Sequence, residues 1–169
     1  MKTRDFFNKL YNTHTSADPQ RHAFHIEDQF AGITLDDKNI LEVGCGKGFT
    51  SLYLALLNTN TSVTALDQAA GNGSEEGVLN SIKEIVSAHQ LEHCLSVEET
   101  DVYDFHNYDS YDLIIANNCL HHFCENGQNY FSENAVKNCY IDLFSHLYKL
   151  LKNEGLICVS ECPSKNRGF

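Results

Sequence analysis

Short apolar runs alternate with segments of helical periodicity along most of this chain, and no other feature restricts the fold as strongly. The apolar runs lie at 40–43, 63–66, 95–98, 113–116 and 156–160. Between them, residues 49–57, 78–89 and 140–151 repeat apolar side chains at helical spacing. Strands that alternate with helices need crossover connections, which build a parallel sheet covered on both faces. The pattern predicts an α/β fold, with a Rossmann-like, doubly wound and mainly parallel sheet.

The first 37 residues carry helical periodicity but no apolar strand. One apolar face is expected near residues 6–11 and a second near 23–30. The segment 13–20, which contains Pro19, is predicted to separate the two helices. The chain therefore divides into an N-terminal helical segment, 1–37, and a sheet-forming core, 38–169.

The chain is acidic, because 12 lysines and arginines stand against 23 aspartates and glutamates, a formal net charge of -11. An acidic surface repels phosphate backbones, and nucleic-acid-binding proteins generally present a basic face. The basic residues of this chain are scattered, not clustered. Composition argues against a nucleic-acid partner and favours a small-molecule substrate.

The sequence also bears on location. No apolar run approaches the ~20 residues that cross a bilayer, and the N-terminal residues are too polar for a signal peptide. We expect no membrane association and a cytoplasmic location. The seven cysteines show no disulfide framework in their spacing, so free thiols in a reducing compartment are expected.

A glycine-rich turn follows the first apolar run. Gly44, Gly46 and Gly48 stand at alternate positions before a helical segment, and such a turn lets a ligand approach the backbone closely. The dinucleotide fingerprint would need a glycine where Phe49 stands, so a nicotinamide-dependent oxidoreductase is disfavoured. A tight turn in another α/β protein is the alternative interpretation.

Asp67 ends the second apolar run, about 20 residues after the glycines. An acid at the tip of the second strand can accept both hydroxyls of a ribose. The alternative is a solvated aspartate in a turn. The joint spacing with the glycines favours the ribose role.

These features together resemble class I S-adenosylmethionine (SAM)-dependent methyltransferases. The run 41–48, Leu-Glu-Val-Gly-Cys-Gly-Lys-Gly, is similar to the family's acid-x-Gly-x-Gly-x-Gly motif, and Asp67 matches its ribose-binding acid. Thr100-Asp101-Val102 resembles the adenine-site segment. Residues 117–123, Asn-Asn-Cys-Leu-His-His-Phe, resemble the segment after strand four in small-molecule methyltransferases. The resemblance covers about residues 38–161.

The resemblance implies S-adenosylmethionine as cofactor and S-adenosylhomocysteine as product. It implies that Glu42 helps to hold the methionine amino end, that Asp101 meets the adenine amino group, and that Asn117 lies near the transferred methyl. The full set of implied cofactor-binding residues is Glu42, Gly44, Cys45, Gly46, Gly48, Asp67, Gln68, Asp101, Val102, Asn117 and Asn118.

His121 and His122 are the candidate catalytic residues, because an imidazole titrates near neutral pH and can act as a base. The alternative is that both only pack or hydrogen-bond under the cofactor. The run from Cys119 to Cys124 also suggests zinc ligands, but no second ligand pair accompanies it. No metal site is predicted.

The resemblance further implies that residues 1–37 form a lid, since segments before strand one often close over the substrate in this family. The residues expected to line that pocket are Tyr11, His22, Phe24, His25 and Phe30. The alternative is that these residues simply cover the sheet.

The family's sheet has seven strands, and strands six and seven are expected to be missing here. Three interpretations stay open: the chain is a fragment, it is a natural truncation, or a second copy or a partner chain completes the sheet edge. The predicted function is methyl transfer from S-adenosylmethionine to a small molecule by in-line displacement. The alternative is a non-catalytic SAM-binding domain or subunit that needs a partner chain. No Asn-Pro-Pro-aromatic segment follows strand four, which argues against the amino-methylating nucleic-acid relatives.

Overall fold

The computed structural model describes residues 5, 7–10, 19–57, 60–68, 77–124 and 133–161. The strands are β1 (Asn39–Val43), β2 (Ser62–Asp67), β3 (Leu95–Glu99), β4 (Tyr111–Asn117) and β5 (Leu151–Ser160). The helices are α1 (Pro19–Gln29), α2 (Phe49–Leu57), α3 (Asn80–Ala88), α4 (Leu120–Cys124) and α5 (Glu133–Leu150), with a 3-10 turn at Val102–Asp104. Tyr11 lies outside the described residues.

The strands form one five-stranded sheet in the order β3-β2-β1-β4-β5, and every described pairing is parallel. Ile40 of β1 pairs with Val63 of β2 on one side and with Leu113 of β4 on the other. This arrangement confirms the predicted α/β fold class. The strand order reverses at β1, which creates a switch point between β1 and β4.

Two apolar cores cover the two faces of the sheet. Side chains alternate along a strand, so Ile40 and Leu41 belong to different cores, and both are fully buried. The first core takes in α1, α2 and α3. The second contains the buried face of α5. Both faces are apolar because helices cover both.

The N-terminal segment packs on the first core. Ala23, Ile26 and Phe30 are buried there, and Phe7 packs edge-on against Tyr53 with ring centroids 4.7 Å apart. Spacing by three and four residues brings the α1 side chains to one face. The structure thus assigns Phe30 to a sheet-covering position. Closure of the segment as a lid stays a prediction.

Two sequence expectations need correction. The helix before β5 ends at Leu150, and Leu151 pairs with Tyr111 as the first residue of β5, five residues earlier than predicted. An irregular stretch explains the difference, because the register with β4 shifts between Tyr111 and Leu113 and Glu154 adopts a φ of 66°. The expectation that all cysteines are free also fails, since Cys139 is disulfide-bonded.

Within the described residues, no helix is both long and apolar enough to cross a membrane.

The turn between β1 and α2 is fixed from two sides. Glu42, only 3% exposed, accepts hydrogen bonds from the backbone N–H of Ser51 at 2.8 Å and from its hydroxyl. It thereby caps the first turn of α2. On the other side, Gly48 lies against Ile82 of α3, and a Cβ added at Gly48 would overlap the Ile82 side chain. The turn is a packed part of the core.

The packing at Gly48 gives a matched pair of substitutions. Gly48 and Gly46 both have positive φ, +69° and +54°, but a Cβ at Gly46 meets no atom within 4 Å. Gly46→Ala should cost only backbone strain, about 1 kcal/mol of unfolding free energy. Gly48→Ala adds a steric clash and should cost about 2–4 kcal/mol. Urea unfolding measures both, and equal losses would contradict the packing role of Gly48.

Glu42 should make stability depend on pH. Burial raises its pKa from 4.5 to about 7, although the Ser51 hydrogen bonds oppose the shift. The folded protein therefore holds the Glu42 proton more tightly than the unfolded chain. This contribution is fully present below pH 4.5 and is lost as the pH rises to about 7. The loss amounts to about 3 kcal/mol.

Glu42→Gln should abolish that decline, so the variant gains stability relative to the parent protein as the pH rises. Urea unfolding between about pH 5 and 8 checks this, and Glu84→Gln on the exposed face of α3 is the matched control. Parallel pH profiles for the parent protein and Glu42→Gln would refute the assignment.

Candidate functional site

A cavity of about 340 Å³ opens at the carboxyl ends of the central strands, where the strand order reverses. Ligands of open α/β sheets bind at this position. The cavity is within the size range of small-molecule sites. Its lining residues are Val43, Gly44, Cys45, Gly46, Leu66, Asp67, Gln68, Thr100, Asp101, Val102, Asn117, Asn118, Cys119, His122 and Phe123.

Asp67 connects the end of β2 to the glycine turn. Its Oδ2 accepts a hydrogen bond from the Gly46 N–H at 2.6 Å, and its Oδ1 accepts one from the Gln68 N–H at 2.8 Å. Asp67 is 8% exposed and lines the cavity. A carboxylate oxygen has two lone pairs, so each oxygen can accept a further hydrogen bond. Asp67 can therefore hold the turn and still accept ligand hydroxyls.

The loop after β3 forms a second wall. The Asp101 Oδ1 accepts from the Tyr103 N–H at 2.8 Å and caps the 3-10 turn. Val102 is 3% exposed and offers an apolar surface. The backbone N–H of Thr100 donates to the Asp67 carbonyl at 3.0 Å. These contacts fix an acid and an apolar side chain beside the end of β2.

The end of β4 contributes amides. The Oδ1 of Asn117 accepts from Nε2 of Gln29 at 2.8 Å, a contact between α1 and the site. Asn118 has a φ of 52° and donates its N–H to the Ser160 carbonyl at 2.6 Å. Asparagine tolerates this left-handed conformation better than most residues. The backbone thus turns sharply between β4 and α4, beside the cavity.

The two candidate histidines differ in position. His122 lines the cavity, whereas His121 does not. Nδ1 of His121 lies 3.0 Å from Oε2 of Glu161, and Oε1 of Glu161 accepts from the Leu120 N–H at 2.7 Å. The centroids of the two imidazole rings lie 3.8 Å apart, and the ring planes are tilted by 44°. His122 is therefore the one with direct access to a ligand.

Two thiols lie in the cavity wall. Burial, together with nearby Glu42 and other acidic groups, raises the pKa of Cys45 and of Cys119 well above the usual range. The Cys119 thiol donates to the Val43 carbonyl with 3.1 Å between sulfur and oxygen. Both sulfurs stay protonated near neutral pH, so neither is a nucleophile.

Some predicted site residues lie away from the cavity. Glu42 and Gly48 support the turn from behind, as described above. Phe24 and His25 are exposed, and Phe30 lines a separate cavity of about 310 Å³ between α1 and α2. His22 belongs to α1, but its side chain lies outside the described residues. No lid candidate with a described side chain lines the main cavity.

Sequence reasoning also left some lining residues out of the predicted set. Val43 and Leu66 are the last apolar residues of their strands. Their position next to the motif residues could have identified them as lining residues. Thr100, Cys119 and Phe123 lie inside the quoted motifs. Gln29 does not line the cavity but donates a hydrogen bond to Asn117, which does. No sequence feature indicated this contact, because the two residues lie 88 positions apart.

The charge of the cavity limits its ligands. Among the residues that the structure describes, the acidic side chains of the lining are Asp67 and Asp101, and the lining includes no lysine or arginine. A pyrophosphate would lack a cationic partner there, whereas a ligand with positive charge and hydroxyl groups would be stabilised. Within the described residues, no three His, Cys, Asp or Glu side chains cluster closely enough to hold a metal ion.

A family comparison matches most of the chain. Residues 35–167 match the model of a methyltransferase domain family. The small-subunit ribosomal RNA methyltransferase C of Buchnera aphidicola is 31% identical over 121 residues, which cover 71% of this chain and 32% of that protein. The chain thus spans about a third of the length of this relative.

Solved structures share the fold. Coclaurine N-methyltransferase bound to N-methylheliamine and SAH superposes with a TM-score of 0.60 and 20% identity, over 85% of this chain and 37% of that one. The cyclase SpnF gives 0.61 and 16%, over 85% and 44%. The family match, over most of the chain, leads to one assignment: the chain belongs to the methyltransferase-domain family.

Proposed function

We propose that this chain transfers a methyl group from S-adenosylmethionine to a small-molecule acceptor. The observation that carries the proposal is Asp67, a buried carboxylate that accepts a hydrogen bond from the Gly46 N–H and lines a cavity in which the described residues include no lysine or arginine. When bound, the cofactor supplies a methyl group on a sulfonium that is already a good leaving group.

The residues present fit this cofactor. A Cβ at Gly46 would meet no atom within 4 Å, so the backbone has open space beside it for a ligand. Asp67 offers lone pairs for ribose hydroxyls, and Val102 offers an apolar surface for a purine. The acids of the cavity suit a cationic ligand. The described part of the lining offers no basic side chain for the phosphates of a nicotinamide dinucleotide.

The chain's contribution to catalysis would be mainly positioning. Holding donor and acceptor in line can supply up to ~7–11 kcal/mol of the barrier in well-oriented systems. His122 is the imidazole that lines the cavity, so it is the candidate base for an acceptor that loses a proton. His121, paired with Glu161, would orient the adjacent His122 ring, with which it is in contact.

The proposal and its alternatives differ in the molecule that accepts the methyl group. The relative from Buchnera is a ribosomal RNA methyltransferase, which raises RNA as a second candidate. The net charge of -11 and the sequence Asn117-Asn118-Cys119 in place of an Asn-Pro-Pro motif favour a small molecule instead. A domain that binds the cofactor without transfer is the third candidate, and the cyclase SpnF illustrates that this fold also serves a different reaction.

Substitution of Asp67 tests whether the cofactor binds in this cavity. Asp67→Asn keeps the size but removes the charge, so affinity for S-adenosylhomocysteine should fall by roughly 1.5–3 kcal/mol. Isothermal titration calorimetry measures this, with NAD as the ligand control. Asp104→Asn is the matched control variant, because Asp104 is exposed and is not among the lining residues of the cavity. Unchanged affinity in Asp67→Asn would remove Asp67 from the site.

The acceptor requires a transfer assay. With radiolabelled S-adenosylmethionine, we expect label in small amines, thiols or phenols from a mixed pool and none in 16S ribosomal RNA. His122→Ala should lower the rate about 10²–10⁴-fold if the acceptor loses a proton in transfer. Label in the RNA would replace the small-molecule proposal. Cofactor binding without transfer to any pool would favour the non-catalytic alternative.

A further inference from the structure

Gln29 connects the N-terminal helix to the cavity. Its Nε2 donates to Oδ1 of Asn117 at 2.8 Å and lies 3.4 Å from Sγ of Cys158. The side chain is half-buried, at the last position of α1. Two acceptors, on neighbouring strands β4 and β5, therefore hold one amide group. Ala23 and Ile26, both buried, anchor the helix that presents it.

This contact sets the direction of the Asn117 amide. An amide has one acceptor oxygen and one NH₂ donor, on opposite sides of the group. Because the oxygen is engaged by Gln29, the NH₂ group is the end left for the cavity, which Asn117 lines. Within the described part of the chain, Asn117 Nδ2 has no hydrogen-bond partner. The cavity thus gains two N–H donors at the β4 end.

A pair of N–H donors selects an oxygen acceptor, and an anionic oxygen binds most strongly. The opposite end of the cavity, at β2 and β3, holds the carboxylates of Asp67 and Asp101. A ligand carboxylate is repelled there and is accommodated at the neutral β4 end. S-Adenosylmethionine has one anionic group, the carboxylate of its methionine part.

We propose that Gln29 is a positioning residue that turns the Asn117 amide so that it binds the carboxylate of the cofactor. The inference rests on the proposed function, because it presumes that the cavity holds S-adenosylmethionine. In this proposal, helix α1 contributes to the selection of the cofactor through the hydrogen bond between Gln29 and Asn117.

The experiment compares two ligands on several variants. S-Adenosylhomocysteine carries the carboxylate, and its decarboxylated analogue keeps the amine, the sulfur and the nucleoside. Gln29→Met keeps the length of the side chain but removes the donor. Gln29→Glu replaces the donor with an acceptor, so the Asn117 amide should turn and present its oxygen to the cavity. Asp28→Asn, an exposed neighbour in α1, is the matched control.

Calorimetry should find that the two Gln29 variants lose affinity for S-adenosylhomocysteine to different degrees. We expect Gln29→Met to bind it about tenfold more weakly and Gln29→Glu more weakly still. Affinity for the decarboxylated analogue should stay within about twofold of the parent protein. A merely structural role would weaken both ligands equally, and that result would overturn the inference, as would unchanged affinity for both.

Asn117→Asp changes the other partner of the same hydrogen bond, on β4. Gln29 can still donate to it, but an oxygen replaces the donor group that faces the cavity. Its affinity should fall for S-adenosylhomocysteine alone, and equal losses for both ligands would again overturn the inference. Thermal unfolding of each variant checks that it folds. If the folded parent protein binds neither ligand, the proposed function itself fails, and the inference fails with it.

Discussion

The burial of β1 on both faces is the constraint on which the rest of the structure depends. This strand pairs with β2 on one side and with β4 on the other, and its last four residues are buried. The chain leaves it through a turn that must bend at once into α2. The reversal of strand order around β1 separates the loops on its two sides, and the cavity forms in the gap.

Residues of the turn have two different roles: some hold the turn in place from the interior, and others line the cavity. Gly48 and Glu42 face the interior, against Ile82 and Ser51, and determine whether the turn folds. Gly46 and Asp67 line the cavity and are hydrogen-bonded to each other. The family motif contains both kinds of residue within the run 41–48, so a match to the motif does not by itself distinguish a residue that supports the turn from one that lines the cavity.

Local patterns predicted what depends on local forces. The strand and helix periods follow from burial on one or two faces, so β1, β2 and α2 were predicted to within one residue. Asp67 was predicted to lie at the site because it ends the second strand, whereas Asp101 was implied only by the resemblance to the family's adenine-site segment, and both line the cavity. The start of β5 was missed, since Leu151 continues the helical period of α5 while its backbone already pairs with Tyr111. Gln29 could not be predicted, because its partner depends on how α1 docks across the sheet.

The two thiols in the cavity wall have a chemical consequence for an enzyme of this family. A methyl sulfonium is an alkylating agent, and a thiolate is among the best nucleophiles that a protein can offer it. Cys45 and Cys119 are 8% and 6% exposed, and burial beside carboxylates keeps them in the unreactive thiol form. With the cationic methyl donor that we propose for this cavity, the same acidic surroundings would both attract the donor and protect the wall of the cavity from self-alkylation.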